Sequence, residues 1–428
     1  MKTRIISSVL AACLLWACSK DDGNNEPSQA QNSPPEAFDL IGVTDNAVAV
    51  DVAPTFTWQS ANDPDGDTVS YDLYLGTETE PSTLFAENIS GASFTVQERL
   101  SLITEYHWKV VAKDGKGGTV ESVVNSFTTR NLNIPNAPVT AAADFTARTH
   151  HSTVIFDDKL WIIGGIDNVT GPKNDVWYST DGITWAEATP AAAFPERFAH
   201  SVAVFDNKLW VIGGDDVGAF KNDVWYSTDG VNWNEATPAA GYVNRAYHSS
   251  AVFDNKIWVI GGLSNINGFR NDVWYSTDGV NWTEATPSAG FSERYYHTTV
   301  VFDGKLWVIG GVGTGGVGAT SVNNEVWYST DGTSWAEATQ EADFSARSRH
   351  TTAVFDNKMW VIGGEGEDIN AYKDDMWYSV DGITWEEIAT PANFPKRANH
   401  TVAAFSNKLW VIGGRNVISL FNDVWAMD

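Results

Sequence analysis

Arg197-Phe198-Ala199-His200-Ser201-Val202-Ala203-Val204-Phe205-Asp206-Asn207-Lys208-Leu209-Trp210-Val211-Ile212-Gly213-Gly214 is one of six near-copies in a chain of 428 residues. The shared pattern is R-x-x-H-S/T-x-x-x-F-D/S-x-K-L/I/M-W-V/I-I-G-G. It starts at Arg148, Arg197, Arg245, Arg294, Arg347 and Arg397 and ends in the glycine pairs from Gly164-Gly165 to Gly413-Gly414. Every copy but the last is followed by N/D-D/E-x-W-Y-S-x-D-G-x-x-W. Successive arginines lie 49, 48, 49, 53 and 50 residues apart. A unit of about 50 residues holding several short strands has the period of a β-propeller. In the second unit, apolar alternation and turn chemistry predict strands at 200–205, 209–213 and 223–227 and a fourth starting near Trp233. The expected fold class is all-β, with six four-stranded units over 132–428.

The sixth unit ends at Asn422-Asp423-Val424-Trp425-Ala426-Met427-Asp428 and lacks a fourth strand. Asn136 to Phe145 precedes Arg148 with the spacing that Trp185 to Phe194 has before Arg197. That segment is therefore expected to complete the last unit and close the ring, removing its exposed edges. Strand alternation puts the arginines and the variable loops on one face and the D-N-K and S-T-D-G turns on the other. Binding usually resides in variable loops on a rigid scaffold.

The glycine pair after an apolar strand, with an aromatic and a Trp at fixed offsets, resembles the Kelch repeat, over all six units. The S-x-D-G-x-x-W turn also resembles the Asp-box of sialidase-like propellers, one residue shorter. That likeness implies that Asp181, Asp229, Asp278, Asp331 and Asp381 are turn residues rather than catalytic ones.

Formal net charge is −27 and the pI is about 4.5. An acidic surface repels phosphate backbones, so no nucleic-acid partner is expected. Seventeen of the twenty Trp lie inside the repeats and read as recurring core elements. The two cysteines, Cys13 and Cys18, are N-terminal, so the repeats hold no disulfide, thiolate metal site or Cys nucleophile. Residues 1–17 carry Lys2 and Arg4 ahead of a short apolar run, the pattern of a signal peptide. Leu15-Trp16-Ala17-Cys18 resembles a bacterial lipobox with Cys18 as the acylated residue; Leu10-Ala11-Ala12-Cys13 is a rival with a shorter apolar run. Ser19-Lys20-Asp21-Asp22 resembles the surface-export signal of Bacteroidetes-type outer-membrane lipoproteins. The resemblance implies a lipid-anchored, surface-exposed protein, with residues 18–35 as a disordered tether.

Between 36 and 131, two-residue alternation dominates, as in Tyr71, Leu73 and Leu75 or Trp108, Val110 and Ala112. Turns are marked by Asp63-Pro64-Asp65-Gly66-Asp67 and Asp114-Gly115-Lys116-Gly117-Gly118. The order P-T-F-T-W, D-P-D-G-D, Y-H-W-K-V-V-A-K-D-G, S-F-T-T resembles fibronectin type III domains, which implies a β-sandwich. Asp63, Asp65 and Asp67 either cap local amides in a hairpin turn, the favoured reading, or hold Ca²⁺, which takes clustered carboxylates. No other cofactor is expected.

The six arginines, each near a repeated histidine from His151 to His400, either form an anion-binding funnel or pair with acids of their own or a neighbouring sheet. A residue repeated in every unit is usually architectural. No carboxylates are organised around the histidines as a metal site would need. Departures from the repeat are better site evidence. The loops after the glycine pairs carry Phe220, Phe269, Tyr372 and Phe421, with Asp215, Asp216, Glu365, Glu367 and Asp368; Phe198, Tyr247, Tyr295 and Tyr296 join them on the same face. Such residues either stack on a sugar or contact a protein, or else pack between sheets. The expected function is that of a monomeric, surface-anchored, non-catalytic binder of a glycan or protein. The alternative is a Kelch enzyme of the sialic-acid mutarotase kind. Galactose-oxidase chemistry is excluded, since its Cys–Tyr crosslink needs a cysteine.

Overall fold

A computed structural model describes residues 31–266, 268–314, 320–368 and 370–428. The expected signal peptide, Cys18 and most of the expected tether over 18–35 lie outside the described residues. The chain divides into two units: residues up to Ala47 with 54–97 and 105–127, and 48–53 with 98–104 and 128–428. No described helix is long and apolar enough to cross a membrane.

The first unit is built on two sheets. One orders Leu40–Gly42, Thr55–Trp58 and Ser93–Thr95; the other runs Asn125–Thr129, Glu105–Lys113, Ser70–Gly76 and Leu84–Ile89. The alternation in Ser70–Gly76 puts Tyr71, Leu73 and Leu75 inside with Phe56, Trp58, Trp108 and Val110. Phe56 and Trp108 meet at 4.7 Å between ring centroids.

In the second unit, six sheets follow one another among the described residues. The second sheet shows the plan: Ser201–Phe205, Lys208–Asp216, Ala219–Ser227 and Asn234–Thr237, paired in that order. The innermost strand of each sheet lies against that of the next, and the sixth lies against the first. An apolar cluster fills each seam. Between sheets two and three it contains Trp210, Ile212, Val224, Tyr242, Ile257 and Val259. Burial of this kind stabilises at roughly 25 cal/mol per Å² of apolar surface.

The glycine pairs are a requirement of these seams. Gly213 has φ 57° and Gly214 φ 107°, and a Cβ on Gly213 would stand 3.0 Å from the Arg245 carbonyl and 3.1 Å from the His248 ring of the next sheet. The pair also produces a bulge between Ile212 and Gly214, after which the ladder resumes through Asp215 and Asp216. The strands therefore run further past the glycine pair than the predicted end at 213, leaving only Val217 and Gly218 at the tip of the loop.

The sixth sheet contributes three strands, Thr401–Phe405, Lys408–Arg415 and Leu420–Met427. Its outer edge is covered from upstream. Thr140 and Val424 exchange backbone hydrogen bonds, as do Asn133 and Asp428. The Asn422 side-chain amide donates to the carbonyls of Ala143 and Phe145, as Asn174 does to Ala192 and Phe194 within the repeats. Phe145 packs edge-on to Trp185 at 5.3 Å, the counterpart of Phe194 on Trp233 at 5.0 Å. Phe145→Ala should therefore destabilise the full chain about as much as Phe194→Ala, on the order of 3–5 kcal/mol for a buried phenylalanine. Urea unfolding checks this; a loss within about 0.5 kcal/mol, typical of surface positions, would show the segment is not part of the closure.

The sixth sheet also lacks an S-x-D-G turn. Elsewhere that turn's glycine lies on a Trp of the preceding sheet, as Gly230 does on Trp161. Trp360 is instead packed with Val52, Leu102 and Leu132. Lys358 donates to the Leu102 carbonyl, and Asp356 takes the Leu102 amide and the Arg99 guanidinium. The short segments 48–53 and 98–104 thus occupy the place of the missing turn.

Candidate functional site

Each repeated arginine is buried and chelated within its own sheet. Arg197 forms a fork on Asp223 at 2.9 and 2.8 Å and donates to the Gly213 carbonyl. Arg148, Arg245, Arg347 and Arg397 do the same with Asp175, Asp272, Asp375 and Asp423; Arg294 uses Glu325. The carboxylate is the acid of the N-D pair and also accepts the indole N–H two residues on, as Asp223 does from Trp225. All six side chains are fully shielded from solvent. The structure brings none of them to the surface, because the acid two positions before the motif Trp reaches back across the sheet to meet them.

The repeated histidines line the axis beneath. His248, His297, His350, His400 and His151 each set Nε2 against a Ser or Thr hydroxyl of a neighbouring sheet, at 2.8–3.0 Å. Burial pushes His151, His200, His297 and His350 down to about 3, and each neighbouring arginine adds to the shift. They are neutral seam residues. The Asp-box-like aspartates are turn residues: Asp229 accepts the amides of Val231 and Asn232 and the Ser227 hydroxyl.

What varies is the residue just before each histidine: His150, Ala199, Tyr247, Tyr296, Arg349 and Asn399. All six hold left-handed backbone, with φ between 51° and 58°. Each donates its N–H to the carbonyl of its counterpart in the preceding sheet, at 2.9–3.3 Å, and His150 closes the circle on Asn399. Side-chain-bearing residues at positive φ cost about 1–3 kcal/mol each and persist where the surroundings over-determine them. This collar of six backbone hydrogen bonds aims side chains of five kinds at the axis, over a cavity of about 170 Å³.

The mouth above the collar has two halves. Sheets two to four supply an aromatic wall. Tyr247 and Tyr296 lie 4.5 Å apart, Phe220 and Tyr295 flank Tyr247, and Phe269 stacks on Tyr295 at 4.9 Å. Phe198 joins through His150. Sheets five, six and one supply donors. Arg349 lies over the Tyr296 ring at 4.3 Å and pairs with Glu365. Its Nε, the Arg415 Nε, the Asn399 amide nitrogen and the His150 Nδ1 are buried and have no hydrogen-bond partner. Burial and the nearby guanidiniums of Arg415 and Arg349 bring His150 down to about 3, so it stays neutral. Desolvation raises Asp215, which faces the Tyr247 hydroxyl.

Of the predicted residues, Phe220, Phe269, Tyr247 and Tyr296 meet at this mouth. Tyr372 is buried in the strand Tyr372–Ser379, opposite Glu365, and Phe421 packs under the Arg397 guanidinium. His150, Arg349, Asn399 and Arg415 escaped the sequence reading. Their signal was present: His150, Arg349 and Asn399 share the variable position just before the repeated histidine, and Arg415 directly follows the last glycine pair.

A family model described as the KLHDC2/KLHL20/DRC7 Kelch-repeats domain matches residues 110–311 and 296–428. No curated protein matches the chain.

Proposed function

We propose, from the premise that this chain belongs to the Kelch-repeat family, that it is a protein-binding propeller of six blades whose mouth receives a segment of a partner protein. One observation carries the reading. The tips of four loops around the mouth bear exposed aliphatic side chains, Val169, Val217, Ile266 and Ile418, at 74–90% exposure. Inside this apolar crown lie the aromatic wall and the unpartnered donors. An apolar rim around a pit with a few convergent polar groups suits a protein contact with one anchored side chain. The anchor chemistry is acceptor-rich, a carboxylate or backbone carbonyl, since the free Arg349 Nε, Arg415 Nε and Asn399 amide nitrogen are donors and Arg415 has no acidic partner among the described residues. The aromatic wall takes an adjoining apolar side chain.

Surface display through a lipid on Cys18 belongs to the same reading and rests on residues 1–22 alone. The first unit and its tether would then carry the propeller clear of the membrane. No nucleic acid is expected at so acidic a surface.

A phage-displayed library of random peptides panned against the full chain tests this. Enriched peptides should share an acidic or C-terminal carboxylate beside an apolar residue and should not be retained by Arg415→Gln. Enrichment of no common pattern would refute the mouth as a peptide site. A carbohydrate reading of the mutarotase kind is favoured by a single feature: Glu365 and Arg349 pair on the mouth wall beside the tyrosine stack. Binding on a glycan array or anomerisation of sialic acid, without peptide enrichment, would decide for it.

A further inference from the structure

We propose that the Asp63–Asp67 turn of the first unit is a calcium site that also fixes the exit of the N-terminal tether. Asp63, Asp65 and Asp67 each present one carboxylate oxygen, all within 4.8 Å of one another. Two ligands on opposite sides of one Ca²⁺, at 2.3–2.6 Å from it, stand about that far apart. Proximity alone would be an ordinary acidic turn. The second observation concerns what the oxygens lack. Asp63 is 7% exposed; its Oδ1 takes the amides of Asp65 and Asp67, while its Oδ2 is buried with nothing to accept from. The Oδ2 of Asp67 is in the same condition. A buried carboxylate oxygen without a donor is costly, and a hard cation relieves it where no donor can reach.

The charge balance points the same way. Lys116 reaches Asp67 Oδ1 at 2.6 Å from a position that is 60% exposed. Among the described residues it is the one ammonium that an ion pair links to these three carboxylates. Three negative charges less one positive leave two, matching a divalent ion. The ligand spacing comes from an irregular turn and not an octahedral cage, which favours Ca²⁺ over Mg²⁺.

The site has a structural consequence. Asp65 Oδ2 accepts the Ser33 amide at 2.6 Å, and Asn32 donates to Asp114 of the adjacent turn at 2.6 Å. The segment leaving the tether is therefore held on the same acidic turns, and ion loading would lock it there. Extracellular calcium modules bind at Kd on the order of 10⁻⁴–10⁻³ M.

Terbium is the probe. Tyr71 lines the cavity beside Asp63 and lies 5.4 Å from Trp58, so excitation of these rings should sensitise a bound Tb³⁺. With the full chain, the luminescence is expected to be displaced by Ca²⁺ at about 0.1–1 mM and less well by Mg²⁺. Calcium should also raise the melting temperature over that in EGTA. Asp63→Asn with Asp67→Asn keeps an acceptor for both turn amides, so the unit should fold; its Ca²⁺ affinity should fall at least about tenfold. No calcium-displaceable signal, or the same displacement in the double variant, would overturn the proposal; the latter would mark an adventitious ion only, on a strongly acidic chain.

Discussion

Taken from about pH 7 to about pH 5, the folded chain is expected to lose most of its stability through its histidines. Burial holds His150, His151, His200, His297 and His350 at about 3. In the unfolded chain each returns to about 6.5. The folded pKa is the lower, so between the two values the unfolded chain binds more protons. Stability is whole above about 6.5 and drains as pH falls toward 3. At pH 5 each of the five costs about 2 kcal/mol, and together about 10 kcal/mol, comparable to the 5–15 kcal/mol of a typical folded protein. His248 and His400 are lowered for the same reason and add to it. The rings face arginines, neutral hydroxyls and backbone carbonyls; the carbonyls and the carboxylates of Asp175, Asp223 and Asp375 favour an imidazolium, but burial and the arginines oppose it more strongly. Urea unfolding across this range should show a slope of several protons per chain. A stability that is flat down to pH 5 would mean that the axis is hydrated enough for the rings to titrate normally.

Arg197→Ala should cost about 3–5 kcal/mol, as removal of one partner from a buried ion pair does. Asp223, 12% exposed at its side chain, would keep only the Trp225 indole N–H and lose the guanidinium that now lowers its pKa. The Gly213 carbonyl would lose a donor as well. Arg197→Lys should recover only part, since an ammonium cannot form the two-point fork. Calorimetric melting of the full chain reads this directly. An unchanged melting temperature would mean that the repeated arginines do not hold the sheets. Arg415→Gln, with no ion pair to break, should change stability by no more than about 0.5 kcal/mol.

The fold was legible because each device that makes a sheet recurs in the sequence. The glycine pair marks the bulge that receives the next sheet's histidine, and the Asn-Asp pair marks the acid and amide that tie strands together. The absent fourth strand of the last unit, set beside the spacing around Phe145, was enough to find the closing segment. The alternation could not show how far strands run past the glycines, because a bulge restores a ladder that sequence periodicity treats as broken. Nor could it show that 98–104 covers Trp360, since a segment filling the place of a missing turn need not resemble that turn.

The site was legible in part. Tyr247 and Tyr296 stood out as aromatics, whereas His150, Arg349 and Asn399 drew no notice as isolated polar residues. Their importance comes from a shared position, and only the hydrogen-bonded collar shows that the column faces inward. Arginine forks suggested a ligand funnel because guanidinium chemistry is the same whether it meets a ligand or the chain's own Asp. Burial decides between the two, and burial follows from which strand the acid occupies.

The most direct test compares repeated and unrepeated cations in one experiment, with retention of the enriched peptides and melting temperature measured on the same samples. If the unrepeated residues hold the ligand, Arg415→Gln melts with the parent chain and retains none of the peptides, while Arg197→Lys melts earlier and, below its transition, still retains them. Peptides held by Arg415→Gln and released by folded Arg197→Lys would contradict the assignment of the mouth.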